Sequence, residues 1–119
     1  MRGICLISSL LVAAGSNAAE TTHYIDLVNT AKNSITTFSV APAGSNHFRA
    51  LPFADQPLHG GGDSATVAIR GNECLVDLRT EFGNGRVLIQ KNFDVCKYRS
   101  YHTGQYLRGN AQTTVAATP

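Results

Sequence analysis

The sequence predicts an all-β fold: a small antiparallel β-sandwich of Ig-like character, with about six strands, one disulfide and a long loop between strands two and three. Three features predict it. Apolar and polar residues alternate through most of the chain, nothing beyond the N-terminal apolar run sustains a helical period, and Cys74 and Cys96 frame a tight-turn signal.

Met1-Arg2 supplies a short positive start, and Ile4 to Gly15 is an apolar run of signal-peptide length. A membrane-spanning helix needs ~20 such residues, so this run is too short to be one. Ser16-Asn17-Ala18 places small residues three and one positions before a cut between Ala18 and Ala19. Residues 1–18 therefore read as a cleaved signal peptide, and the mature chain as periplasmic or secreted with no membrane span. Cys5 leaves with the peptide. Residues 19–100 suffice for a single small domain with one core. Losing Arg2 takes the formal net charge from +2 to +1, and no run of basic residues remains. That balance argues against a nucleic-acid or membrane-surface partner.

The elements follow in order. His23 to Thr30 and Ile35 to Pro42 are rich in β-branched and aromatic residues and flank a polar break, the pattern of a first hairpin. Ala41 to Asp63 is too rich in Pro, Gly and apolar side chains to be a strand or a disordered linker. Within it Phe48, Leu51, Phe53 and Leu58 are placed to fold back over one end of the core, and the competing role is a binding loop. Ser64 to Gly71 alternates Ala65, Val67 and Ile69 against Thr66, Ala68 and Arg70. Glu73 to Phe82 sets Cys74, Val76, Leu78 and Phe82 on one face and Asp77, Arg79 and Glu81 on a solvent face.

Asn84-Gly85 accepts the positive φ angles of a tight hairpin turn, and with it at the tip Phe82 pairs with Val87, Thr80 with Ile89 and Val76 with Phe93. In that register Cys74 falls opposite Val95, one residue short of Cys96. A bulge at Lys91-Asn92 would bring the cysteines together across the hairpin, and the alternative is a staple between facing sheets. Either way the two remaining cysteines of an exported chain pair with each other. A loop of that length closed by a disulfide stabilises the fold by ~3 kcal/mol. Beyond Tyr101 the chain is small and polar without alternation, so residues 101–119 read as a flexible tail.

Reactive groups are sparse. His23, His47, His59 and His102 lie in separate segments, none at metal-ligand spacing, so neither a metal nor another cofactor is expected. Gly60-Gly61-Gly62-Asp63-Ser64 lacks the Lys and the helix of a phosphate loop. Asp77 and Glu81, four apart on one strand face, are separated by ~13 Å, too far for a paired acid and base. The one enzymatic constellation worth weighing is Asp55, His59, Asp63 and Ser64, and no spacing motif supports it.

LVNTAKNSITTFSVAP, then Phe48, Leu51 and Leu58, then GGGDSATVAIRGNECLVDLRTEFGNGRVLIQKNFDVCKY together resemble a family of small exported bacterial proteins. Its pattern is an Asn-Thr turn, an aromatic strand ending near Ala-Pro, a Trp-Gly-x-x-Leu segment and a Gly-x-Ser turn. A Cys-x-x-Asp-Leu-Arg strand, an Asn-Gly turn and a closing Asp-x-Cys follow. This chain has Phe48-Arg49 where the family has Trp-Gly. The resemblance covers residues 24–98 and implies an exported β-domain without an assigned activity. Some members carry the label argininosuccinate lyase; such lyases are large helical oligomers, and the label does not fit this chain.

The expected function is therefore binding rather than catalysis, toward an unidentified protein or cell-envelope partner, with His47, Phe48, Arg49 and Phe53 as the anchoring groups. The sharper alternative is an inhibitor or immunity-type protein that blocks a hydrolase such as a lysozyme or a protease.

Overall fold

Period-two alternation leaves each sheet with one apolar face, which must be buried against another layer. A computed structural model, describing residues 21–53, 57–108 and 112–115, shows how this chain does so. Its elements are β1 (Thr22–Asn29), β2 (Ile35–Pro42), β3 (Arg49–Ala50), β4 (Asp63–Arg70), β5 (Leu75–Phe82) and β6 (Arg86–Asp94). They are followed by β7 (Ser100–His102), α1 (Thr103–Leu107) and β8 (Gln112–Val115). One sheet has the order β4-β1-β7 and the other β3-β2-β5-β6-β8. All pairings are antiparallel except the parallel one between β1 and β7. Ile25, Leu27, Val67 and Ile69 of the first sheet share a buried core with Phe38, Val40, Leu78 and Leu88 of the second. The antiparallel β-sandwich with one disulfide stands, with eight strands among the described residues rather than about six. The N-terminal segment read as a signal peptide lies outside them.

The expected first hairpin is not formed. β1 pairs along its whole length with β4, from Thr22↔Arg70 to Asn29↔Asp63, while β2 pairs with β3 and β5 in the other sheet. The link from β1 to β2 is an arch between layers, held by the fully buried Asn29. Its Nδ2 donates to the carbonyls of Asn33 (2.8 Å) and Leu58 (2.9 Å). Its Oδ1 accepts from the Ala31 N–H (3.1 Å) and the Thr103 hydroxyl (3.0 Å). A residue that read as the polar end of a strand is thus the fastener of both sheets.

The expected flexible tail is also corrected over residues 101–108 and 112–115, the rest of it lying outside the described residues. Tyr101 is completely buried, β7 pairs with β1, and β8 extends the larger sheet by pairing with β6 from Arg86↔Val115 to Ile89↔Gln112. Alternation gave no signal because β7 has only three residues and its one core side chain is a tyrosine. Tyr101 stacks on Tyr106 at 4.6 Å, and meets Phe93 edge-on at 5.3 Å and Phe38 at 6.1 Å between ring centroids. Gly104 docks this segment: its N–H donates to Thr30 Oγ1 at 2.7 Å, and a Cβ there would fall 2.7 Å from the same oxygen.

The Tyr101 hydroxyl has a price in polarity. It and the Thr80 hydroxyl are buried close together without reaching hydrogen-bond geometry, so both lack a partner among the described residues. Burial pushes the Tyr101 phenol far above its ordinary value of 10.0, Tyr106 adds to the rise, and Thr80 offsets it slightly. The folded chain therefore holds a proton that the unfolded chain releases. Stability from this group is complete below pH 10.0 and falls as pH rises further. Tyr101→Phe is expected to be neutral, or stabilising by up to about 1 kcal/mol, near neutral pH, because it removes an unpartnered hydroxyl. It should also flatten the alkaline loss of stability, as read from thermal melts taken at successive pH values.

The β5–β6 hairpin follows the expectation in part. The Gly85 N–H donates to Phe82 O at 2.9 Å and Gly85 has φ +89°, so the loop is Gly83–Gly85 rather than a two-residue Asn84-Gly85 turn. That moves the pairs near the tip by one residue, to Glu81↔Val87, Thr80↔Leu88 and Arg79↔Ile89. Lys91-Asn92 then bulges opposite Asp77, with Asn92 at φ +56°, and restores the expected Val76↔Phe93 pair. Asp77 keeps the outer face expected of it, between the core residues Val76 and Leu78, but the Gly44 turn and the Asn92 bulge cover it there, so it is not solvent-exposed. It is fully buried, its Oδ1 accepting from the Asn92 N–H and its Oδ2 from the Gly44 N–H, each at 2.9 Å.

The disulfide Cys74–Cys96 clips the base of this hairpin, across strands of one sheet rather than between sheets. The bulge alone does not align it, because the Val95 N–H donates to Cys74 O at 2.8 Å. A turn does: Asp94 Oδ1 accepts from the Cys96 and Lys97 N–H groups (2.9 and 3.1 Å), bringing the two Cα atoms to 5.2 Å.

Candidate functional site

The long loop divides its labour. After β2 the chain turns on Ser45 N–H to Pro42 O (2.9 Å), with Gly44 at φ +80° and Asn46 at φ +60°. Asp77 ties this turn to β5 through Gly44. β3 then pairs with β2, after which Leu51 N–H donates to Phe38 O and Leu58 exchanges two backbone hydrogen bonds with Ile35. Leu51 and Leu58 are buried and Phe53 packs against the core, so this half of the loop seals the sandwich. His47 and Arg49 stay exposed and Phe48 half-buried.

Beside that surface lies a cleft of about 510 Å³ between the sheets, where the end of β2 (Val40, Ala41, Pro42) faces the end of β4 (Ile69, Arg70). Arg49 of β3, Val76 of β5 and the Gly71–Glu73 turn complete it. Val40, Ile69 and Val76 are buried and give apolar walls, while Arg49, Arg70 and Glu73 put charges at the rim. Arg49 spans the opening, its Nη2 donating to Arg70 O at 3.3 Å. Of the four loop residues expected to bind, only Arg49 lines the cleft; His47 and Phe48 precede it in the chain, and Phe53 is turned to the core. Val40, Ile69, Arg70, Glu73 and Val76 were missed as site residues. Val40, Ile69 and Val76 read as ordinary core positions, and the only sequence signals were Pro42 and Gly71, which end the strands at the same edge of the stack.

The other candidates are placed as follows. His59 Nδ1 lies 3.5 Å from Asp63 Oδ2, with the two side chains 68% and 56% exposed. Ser64 is exposed, and among the described residues no hydrogen bond links it to either; Asp55 lies outside them. The triple-glycine stretch offers nothing to an anion at its second and third residues, since the Gly61 and Gly62 N–H groups donate to Ala31 O (3.1 Å) and Asn29 O (2.8 Å). Gly60 is pressed against the carbonyls of Ala31 and Lys32, where no Cβ fits. Glu81 pairs with Arg79. Cys74, Asp94 and Cys96 present ligand atoms within 4.8 Å of one another, but the sulfurs are bonded together and Asp94 Oδ1 is committed to the turn.

At the opposite end, Lys32, Arg86 and Arg108 border a second hollow of about 420 Å³ over Phe82 and Leu107. No family model, curated protein or solved structure matches the chain. Among the described residues, no helix is long and apolar enough to cross a membrane.

Proposed function

We propose that this protein is an exported binding module that acts by recognition and not by catalysis, taking a segment of a protein or cell-envelope partner into the cleft between its sheets. The observation that carries the reading is the combination of apolar walls at Val40, Ile69 and Val76 with two guanidinium groups, Arg49 and Arg70, at the rim. That chemistry suits an apolar side chain flanked by a carboxylate, which arginine pairs with in a directional, two-pronged way. Export is supported by the N-terminal apolar run and small-residue cleavage pattern, and it agrees with a disulfide, which oxidising compartments favour.

The test is capture from a cell-envelope extract by the immobilised oxidised chain, compared with Arg49→Glu and Arg70→Glu. Reversing either charge should weaken capture at least ~10-fold, the loss of one good charge-assisted contact. Capture unchanged in both variants would remove the cleft from the account.

A hydrolase-blocking role has one observation in its favour. The turn leading to His47 and Phe48 is pinned by the Asp77–Gly44 hydrogen bond and by His47 N–H to Ser45 Oγ (3.1 Å), so the segment is pre-organised, as tight inhibitors require. Assays of lysozymes and proteases with and without the protein decide it: inhibition at micromolar concentration, lost on His47→Ala/Phe48→Ala, supports that role.

A further inference from the structure

The edges of the two sheets are unequal. β3, β7 and β8 have two, three and four residues, short enough to discourage strand addition, whereas the edge strand β4 has eight. β4 contains no proline, no lysine and no bulge, and its register against β1 is unbroken. Among the described residues its protections are confined to its ends, the charges of Asp63 and Arg70 and the Arg49 contact on Arg70 O, and the stretch from Ser64 to Ile69 has none.

The direction of its backbone groups can be worked out. Gly71 N–H donates to Thr21 O across the β1–β4 ladder, and Asp26, opposite Thr66, sends its N–H the other way, to Arg99 O. Antiparallel pairs alternate between bonded and non-bonded, so Ser64, Thr66, Ala68 and Arg70 direct both N–H and C=O away from β1. All four are exposed residues. Among the described residues, a side-chain partner reaches Arg70 O alone of these groups, from Arg49.

We infer that this edge joins two copies of the chain, β4 pairing antiparallel with β4 of the second copy about a two-fold axis at Val67. The strand is complementary to itself in that register. A two-fold axis normal to the sheet keeps both inner faces on one side, so opposed residues share a face. Thr66 then faces the partner's Ala68, and Ser64 the partner's Arg70. Each outward-directed residue meets another, giving about eight backbone hydrogen bonds. On the inner side Val67 meets the partner's Val67 and Ala65 the partner's Ile69, prolonging the apolar row of the core; on the outer side no like charges oppose. Centring on Thr66 instead would set Arg70 against the partner's Gly62 and break the match. Arg70 belongs to both surfaces, its side chain bordering the cleft and its backbone lying on the edge, whereas Ser64, Thr66 and Ala68 belong to the edge alone.

Sedimentation equilibrium of the oxidised chain tests it, together with hydrogen exchange read against concentration. The expected result is a dimer in the micromolar range, with the Ser64, Thr66 and Ala68 amides gaining protection as concentration rises. Thr66→Pro deletes an N–H that points away from β1, a position edge strands tolerate, and should weaken dimerisation at least ~100-fold. A chain that stays monomeric at ~1 mM overturns the proposal. So does a dimer in which those amides exchange freely at every concentration, a readout that holds even where the proline variant fails to fold.

Discussion

Asp77→Ala is expected to cost about 3–4 kcal/mol, the loss of two hydrogen bonds to a charged acceptor. The carboxylate is fully buried and joins two features distant in sequence: the bulge at Asn92 and the turn at Gly44. Alanine leaves both N–H donors without their acceptor and a gap under the turn and the bulge, and because Gly44 and Asn92 are themselves exposed, water recovers part of the loss. Asp77→Asn keeps one acceptor oxygen but aims an NH2 group at the other donor, so its cost should be intermediate, about 2 kcal/mol. Urea titration measures both, as a lower midpoint with an unchanged slope. If Asp77→Ala unfolded at the same urea concentration as the parent, the carboxylate would be incidental to the fold.

Asn29→Ala should be of similar size, about 3–4 kcal/mol, because four hydrogen bonds of ordinary strength are lost at a buried site. Its partners belong to Ala31, Asn33, Leu58 and Thr103, so a single amide holds the β1–β2 arch, the end of the long loop and the start of α1. Thr103→Val removes one of these bonds and should cost about 1 kcal/mol. The double variant Asn29→Ala/Thr103→Val should fall short of the sum, since both singles break the same contact. Strict additivity in that cycle would mean that the hydroxyl and the amide do not act together. Hydrogen exchange should show the segments around Leu58 and Thr103 loosening together in Asn29→Ala.

Other polar residues at the turns have jobs of this kind. Thr30 receives the Gly104 N–H, and Asp94 shapes the turn that brings Cys96 to Cys74. They are anchors of a fold.

Strand character, the cysteine pair and the hairpin between them were readable along the chain, because period-two alternation and turn chemistry act between near neighbours. A bulge at Lys91-Asn92 was expected as well, but its role differs: it offsets the one-residue shift of the Gly83–Gly85 loop, and the cysteines, still one residue out of step, are brought together by the Asp94 turn. The three-residue loop was not readable: Gly83-Asn84-Gly85 suits two turn types, and the packing of the strands behind it selects one. Which sheet β1 and β2 join, the burial of Asp77 and Tyr101, and the meeting of Arg49 with Arg70 over Val40 and Ile69 depend on partners 20 or more positions away along most of their contacts. A polar side chain such as Asn29 or Asp77 looks the same in sequence whether it is open to water or covered. The choice is made where a distant N–H or carbonyl arrives to satisfy it, and that arrival is a property of the folded stack of sheets.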